Sequence, residues 1–151
     1  MLIANLIMYC IFIIIFIGLA IVGFICLKVE RNKAIGYRTA LSLKNDENWY
    51  FANKTFGKYL IFLMICMIIL VSIYMGIIII FNYYLQLFSS YIFLGLTIIL
   101  PISIGILTML TENKLQKFDR KNNQTEENNL ENLITLVSSM FEQYEEGDNS
   151  D

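Results

Sequence analysis

Residues 59–111 read YLIFLMICMIILVSIYMGIIIIFNYYLQLFSSYIFLGLTIILPISIGILTMLT, and these 53 residues include no Asp, Glu, Lys or Arg. A helix that crosses the hydrocarbon core of a bilayer needs about 20 predominantly apolar residues, so this run is long enough for two crossings. Near its middle, residues 82–86 collect Asn, Tyr and Gln, which favour the headgroup zone over the acyl interior. We expect a tight hairpin there, between transmembrane helices over about 59–81 and 87–110.

A second uncharged run covers residues 2–27, and it is long enough to cross the bilayer once with some tilt. No basic segment and no small-residue cleavage site of a signal peptide precede Lys28, so we expect a permanent helix. The chain as a whole is 57% hydrophobic and 16% charged, whereas soluble domains are about 25% charged. The sequence therefore predicts an all-α integral membrane protein with a three-helix membrane domain over residues 1–110.

The charges outside the apolar runs predict the orientation of the chain. The loop 28–58 has seven basic and three acidic residues, segment 111–121 has four and two, and the hairpin has none. By the positive-inside rule, the loop and the C-terminal tail are cytoplasmic and the N-terminus lies outside. Basic residues next to the spans can hold anionic lipid headgroups, so membrane lipids are expected partners. No basic patch has the size of a nucleic-acid reader, so nucleic acid is not an expected partner.

Several kinds of chemistry are disfavoured by composition. The chain has no His, and its three Cys all lie in apolar runs, where a thiol is usually a packing residue. The spans contain no Asp, Glu, Lys or Arg, from which proton and ion pathways are normally built. We therefore expect no catalytic residues, no metal ligands and no cofactor. Ser72 and Gly76 in the second span have the small-xxx-small spacing that allows close helix approach, either among the three helices of this chain or to a foreign helix or peptide.

The loop 28–58 is richer in special residues than a simple connection requires. Gly36 offers a turn, and Asp46 and Glu47 follow Asn45 as acidic residues follow an N-cap in the first turn of a helix. From that point four residues recur at every fourth position, on one face of a helix that leads into the second span: Asn45, Trp49, Asn53 and Gly57. Two interpretations stay open, an interfacial belt on lipid phosphates or an ordered recognition element.

Ten positions of this loop carry a recognisable pattern: Asn32, Gly36, Tyr37, Arg38, Thr39, Ser42, Asn45, Trp49, Asn53 and Gly57. Together with the flanking apolar runs, over roughly residues 5–110, they resemble the signature loop of the SdpI family of bacterial membrane proteins. The family is named after an immunity protein that protects a bacterium against its own secreted, membrane-active peptide toxin. That protein also takes part in signalling, by holding a repressor at the membrane. The resemblance implies a multi-pass protein of the bacterial cell membrane with the ten residues as its binding motif.

The remaining residues, 111–151, form the predicted cytoplasmic tail. Its Asn-rich segment 121–129 is typical of a flexible linker. Beyond it, apolar residues at steps of three and four predict an amphipathic helix over about 129–146: Leu130, Leu133, Ile134, Val137, Met140, Phe141 and Tyr144. Segment 122–151 has eight acidic and no basic residues, so this helix suits a protein groove, a sister tail or the basic loop better than anionic lipid. A solvated, partly disordered tail is the other interpretation.

Three functional hypotheses follow. The leading one is an immunity protein that binds a membrane-active peptide toxin or bacteriocin in the bilayer without catalysis. The alternative is a signalling or scaffold protein that recruits a cytoplasmic regulator through the loop 28–58 and the acidic tail. The third is an enzyme on lipid or cell-wall precursors, with Arg38 on a phosphate and Asp46 or Glu47 as a base. Because adjacent residues on a helix diverge by about 100°, these two carboxylates would not form a catalytic pair.

Overall fold

The computed structural model describes residues 2–31, 34–81 and 84–148 and contains three helices: α1 Leu2–Lys28, α2 Asp46–Phe81 and α3 Tyr84–Asp148. Each helix includes a segment that is long and apolar enough to cross a membrane. The predicted all-α architecture with three long apolar helices is therefore confirmed, and these three candidate spans indicate a multi-pass membrane protein. Of the predicted hairpin, Asn82 and Tyr83 lie outside the described residues. The chain divides into two compact units, residues 1–115 and 116–151.

The core of the first unit is built from apolar side chains of all three helices. The aromatic rings of Phe12 in α1 and Phe93 in α3 stack with their centroids 5.6 Å apart. Most of the remaining core comes from α2: Leu60, Met64, Met67, Val71, Met75 and Ile78. Because lipid tails are as apolar as these side chains, the helices associate through close van der Waals packing more than through the hydrophobic effect.

Two glycines bring the backbones of α1 and α2 close together. A Cβ atom built on Gly57 would lie 2.5 Å from the carbonyl oxygen of Gly23, and one built on Gly23 would lie 3.1 Å from the carbonyl oxygen of Gly57. Gly76 makes no such approach to another described helix of this chain, because a Cβ there would meet no atom within 4 Å. Ser72, one turn earlier in α2, makes a polar contact with α1, since its hydroxyl lies 3.2 Å from the hydroxyl of Tyr9. The backbone contact thus lies at Gly57, in the signature loop.

Helix α2 begins at Asp46, well before residue 59, where the apolar run starts. The predicted helix start after Asn45 is therefore confirmed, and the second half of the loop 28–58 is the first part of α2. A helix that has already nucleated extends with one further hydrogen bond per residue, so the polar segment and the span form one helix.

Helix α3 contains Pro101 and also the Asn-rich segment 121–129, where the sequence predicts a linker. That prediction is wrong for this structure. Lys, Gln and Glu in the segment are good helix formers, and the hydroxyl of Thr125 donates to the carbonyl oxygen of Lys121 at 2.9 Å. Local composition resembled a linker because Asn is abundant, but nothing in the segment breaks a helix. The amphipathic segment 129–146 lies within the same helix.

Candidate functional site

The loop before α2 is held to that helix by one buried amide. Asn53 is 1% exposed, and its Oδ1 accepts a hydrogen bond from the backbone N–H of Tyr37 at 2.6 Å. Its Nδ2 donates to the carbonyl oxygens of Trp49 at 3.0 Å and Tyr37 at 3.4 Å. Asn53 therefore pairs both backbone polar groups of Tyr37, as a neighbouring strand would, and no strand occurs among the described residues of the loop.

Gly36 is required by both its conformation and its surroundings. Its backbone φ of 124° lies in a region that residues with a Cβ rarely adopt. A Cβ added there would also lie 2.6 Å from Oδ1 of Asn53 and 2.9 Å from the ring of Trp49. The absence of a side chain at this position lets the loop lie directly on the Trp49 and Asn53 side chains.

Tyr37 joins the loop to both α2 and α3. Its ring is buried, lies 4.9 Å from the ring of Phe56 and packs in a cluster with Leu115. Its hydroxyl directs its proton to Oε2 of Glu112 at 3.0 Å, with the carbonyl oxygen of Thr108 at 3.2 Å as a second acceptor. Burial raises the pKa of the Tyr37 phenol above its ordinary value, and the Glu112 carboxylate raises it further. The phenol therefore stays protonated and continues to donate.

Thr39 and Ser42 form a reciprocal turn. The Thr39 N–H donates to the Ser42 hydroxyl at 2.8 Å, and the Ser42 N–H donates to the Thr39 hydroxyl at 3.2 Å. The fully buried Ser42 hydroxyl in turn faces the carbonyl oxygens of Thr39 at 2.9 Å and Tyr37 at 3.0 Å. Two short side chains thus satisfy backbone groups that no helix or strand would pair here.

Asn45 is the N-cap of α2, as its position before two acidic residues predicts. Its Oδ1 accepts from the Asn48 N–H at 2.7 Å, and its carbonyl oxygen accepts from the Trp49 N–H at 3.1 Å. Trp49 is fully buried, and its indole N–H donates to the carbonyl oxygen of Val29, just beyond α1, at 3.4 Å. The indole therefore connects the end of α1 to the start of α2.

An ion pair that no sequence pattern predicted links Arg31, near the start of the loop, to Asp46 in the first turn of α2. Nη1 of Arg31 lies 2.7 Å from Oδ1 of Asp46, and Nη2 donates to the carbonyl oxygen of Leu43 at 2.5 Å. The two residues are 15 positions apart in a loop, so no helical or strand spacing relates them. Asp46, proposed from sequence as a base, is thus an ion-pair partner in the first turn of α2. The pair is exposed, so it contributes little to stability.

A family comparison covers this same part of the chain. Residues 28–111, more than half of the 151, match the SdpI/YfhL protein family. The chain belongs to this family. The match confirms the resemblance seen in the loop, although it begins where α1 ends and so is narrower than residues 5–110. Searches of curated proteins and of solved structures find no match.

The SdpI/YfhL signature residues differ in exposure. Five of them are buried, namely Tyr37, Ser42, Trp49, Asn53 and Gly57, while Gly36, Thr39 and Asn45 are half-buried. Asn32 lies outside the described residues. Arg38 is exposed, in contrast to the eight other signature residues that the structure describes. The signature therefore mainly builds the loop, and Arg38 is the side chain that the loop presents, beside further exposed cations of the same region, Lys44, Lys54 and Lys58.

The membrane part of this SdpI/YfhL protein has a groove at the end far from the loop. It lies between α1 and α3, encloses about 300 Å³, and is lined by uncharged residues: Ala4, Asn5, Met8, Phe93, Leu94 and Thr97. Asn5 is buried within the bundle. Within the described residues, no three His, Cys, Asp or Glu side chains are close enough to hold a metal ion. Asn5 and Thr97 are far apart in the chain, so no sequence pattern could place them together.

Proposed function

We propose that this SdpI/YfhL family member is an immunity protein of the bacterial cell membrane, which binds a membrane-active peptide toxin within the bilayer and acts without catalysis. The observation that carries the proposal is the uncharged groove between α1 and α3. Side chains of an apolar helix can pack into such a groove, whereas transport of ions or protons normally requires ionisable groups within the spans.

The proposed orientation gives the groove access to a secreted peptide. With the basic loop 28–58 on the cytoplasmic side and the N-terminus outside, residues 4–8 of α1 lie in the outer half of the membrane. A peptide that arrives from outside would meet this half first. The groove is therefore on the side where interception of a toxin is useful to the cell.

The loop has a different part in this proposal. The Tyr37 N–H donates to Asn53 of α2, and the Tyr37 hydroxyl donates to Glu112 of α3. Where the loop leaves α1, the Val29 carbonyl oxygen accepts from the indole N–H of Trp49 in α2. A loop bound to all three helices holds their relative positions, and a peptide that shifts α1 against α3 must strain it. Arg38 is exposed on this loop and lies on the cytoplasmic side in the proposed orientation.

The proposal is tested by survival of a sensitive bacterium that produces the chain and is challenged with a membrane-active peptide encoded beside its gene. We expect protection, and we expect Thr97→Trp, which fills the groove, to reduce it at least tenfold. Ile98→Trp is the matched control, because Ile98 is an exposed neighbour that does not line this groove. Absence of protection at normal membrane levels, or equal loss in both variants, would contradict the proposal.

A second candidate function is favoured by one observation, the exposed apolar face of the helix in the unit 116–151. Such a face suits a signalling or scaffold role, in which the tail recruits a cytoplasmic regulator. Deletion of residues 116–151 separates the two functions. If protection survives the deletion while a reporter response to the peptide is lost, the tail serves signalling. If the reporter response persists, this candidate is wrong.

A further inference from the structure

The helix in the unit 116–151 leaves a row of large apolar side chains exposed. Their exposed fractions are 62% for Leu130, 60% for Leu133, 60% for Ile134, 41% for Val137 and 62% for Met140, and we call these five residues the tail stripe. Four of them, with Ser138, line one shallow depression. Since they recur at steps of three and four, they share one face of the helix. Contiguous exposed apolar surface of this kind usually marks an interaction site.

A lipid surface does not suit the tail stripe. Segment 122–151 has eight acidic and no basic residues, so the anionic headgroups of a bacterial membrane repel it. Amphipathic helices that lie on such membranes carry Lys and Arg on the polar face, and this one carries Glu. The face is therefore apolar without being adapted to lipid.

A second copy of the tail does not suit the stripe either. Glu127 and Glu131 are exposed and lie four residues apart, beside Ile134 at the edge of the stripe. In a pair of identical tails these carboxylates would be brought close to those of the other copy. Like charges along the edge of a helix pair oppose association, whereas opposite charges select a partner. The charge pattern therefore favours a basic partner over a sister tail.

We propose that the tail stripe is a docking surface for a basic amphipathic helix of a partner protein. The apolar face of that helix covers Leu133, Val137 and their neighbours, and its Lys or Arg side chains pair with Glu127 and Glu131. The inference names the chemical class of the partner for the signalling candidate above and rests on that candidate; the immunity function does not depend on it.

The test uses the full chain in nanodiscs of phosphatidylcholine, which has no net charge, and subtracts the binding of the probe to empty nanodiscs, because its apolar face also binds lipid. The probe is a fluorescent synthetic helix of about 18 Leu and Lys residues with the leucines on one face, long enough to be helical when bound. We expect it to bind, and we expect Leu133→Ser with Val137→Ser to weaken binding at least about tenfold through lost apolar burial. Leu136→Ser is the matched control, because Leu136 is 60% exposed but does not line the depression.

The same nanodiscs test whether the probe must be basic and whether the tail stripe binds a partner helix or a second copy of the tail. A probe with Glu in place of Lys should bind at least tenfold more weakly, and salt should weaken binding of the Lys probe. Equal binding of the two probes, or an equal effect of Leu136→Ser and the stripe variant, would overturn the proposal. So would disulfide cross-linking between Met140→Cys tails that the stripe variant abolishes, because it would assign the surface to a second copy. The reporter response to deletion of residues 116–151 tests the signalling role separately.

Discussion

At the scale of single residues, most of the signature serves the backbone of its own loop. Asn53, Ser42, Thr39 and Asn45 each pair a backbone N–H or carbonyl group. A buried polar group left without a partner costs about 1–3 kcal/mol, so a loop of irregular backbone at a membrane surface needs such side chains. The residues that carry the resemblance to the family are therefore expected to determine whether the loop folds.

Replacement of Gly36 by Ala should destabilise the loop by more than about 1 kcal/mol, because it imposes a Cβ on a backbone with φ of 124° and on the Asn53 amide. The matched control is Gly18→Ala in α1, where an added Cβ meets no atom within 4 Å and helix propensity improves. Thermal unfolding in detergent, followed by the fluorescence of the single tryptophan, Trp49, measures both. Equal midpoints for the two variants would show that the described turn is wrong.

Replacement of Tyr37 by Phe should lower the free energy of unfolding at pH 8 by about 1 kcal/mol. The free energy of unfolding of this variant should also change less with pH in the alkaline range. The folded protein raises the pKa of the Tyr37 phenol above its ordinary value of 10.0. The contribution of this phenol is therefore complete below pH 10 and declines as pH rises further, because the unfolded chain loses its proton first. The gap in thermal midpoint between the native protein and the variant should thus narrow between pH 8 and pH 11.

The control for this measurement is Tyr50→Phe, because the Tyr50 side chain is 53% exposed, whereas Tyr37 is buried. The thermal midpoint of this variant should equal that of the native protein at every pH. A gap for Tyr37→Phe that widens with pH would mean that the phenol does not donate to Glu112.

At the scale of elements, α2 combines two parts that the sequence presents separately. Its first turns carry the polar face of the signature, and the rest is the second span. Gly57 lies between these parts and contacts Gly23 of α1, so the position of the signature on α2 also sets the position of the span against α1.

Replacement of Gly57 by Ala should therefore separate α1 from α2 and destabilise the membrane domain by about 1–3 kcal/mol, since its Cβ would lie 2.5 Å from the Gly23 carbonyl oxygen. Gly76→Ala on the same helix is the control, because an added Cβ there meets nothing within 4 Å. Thermal unfolding in nanodiscs compares the two. A midpoint for Gly57→Ala at or above that of Gly76→Ala would refute the close approach.

At the scale of the molecule, the two units have different residue compositions. Unit 1–115 contains the spans, the loop and all the loop contacts described above, whereas unit 116–151 contains most of the acidic residues. We expect a chain truncated after Leu115 to keep the native environment of Trp49. Its fluorescence emission maximum in nanodiscs should match that of the full chain. A red shift of the truncated protein, as Trp49 becomes exposed to water, would show that the loop depends on the tail.

The proposed topology makes a further prediction for the whole chain. An alkaline phosphatase fused after residue 151 should be inactive in a bacterial host, because this enzyme folds only after export, and a cytoplasmic reporter fused there should be active. Fusions after residue 81, near the predicted outer hairpin, provide the opposite pattern as a control. An exported C-terminus would reverse the orientation on which the proposed position of the groove depends.

The sequence by itself determined the membrane class, the three spans, the helix start at Asn45 and the family. These follow from signals that neighbouring residues carry, namely uncharged length, N-cap chemistry and a motif of set spacing. Only the tertiary structure decided that Tyr37 reaches Glu112, that Arg31 pairs with Asp46, that Gly57 meets Gly23 and that Asn5 and Thr97 line one groove. Each of these pairs is far apart in the chain, and no local periodicity relates its members, because the packing of separate helices and loops brings them together.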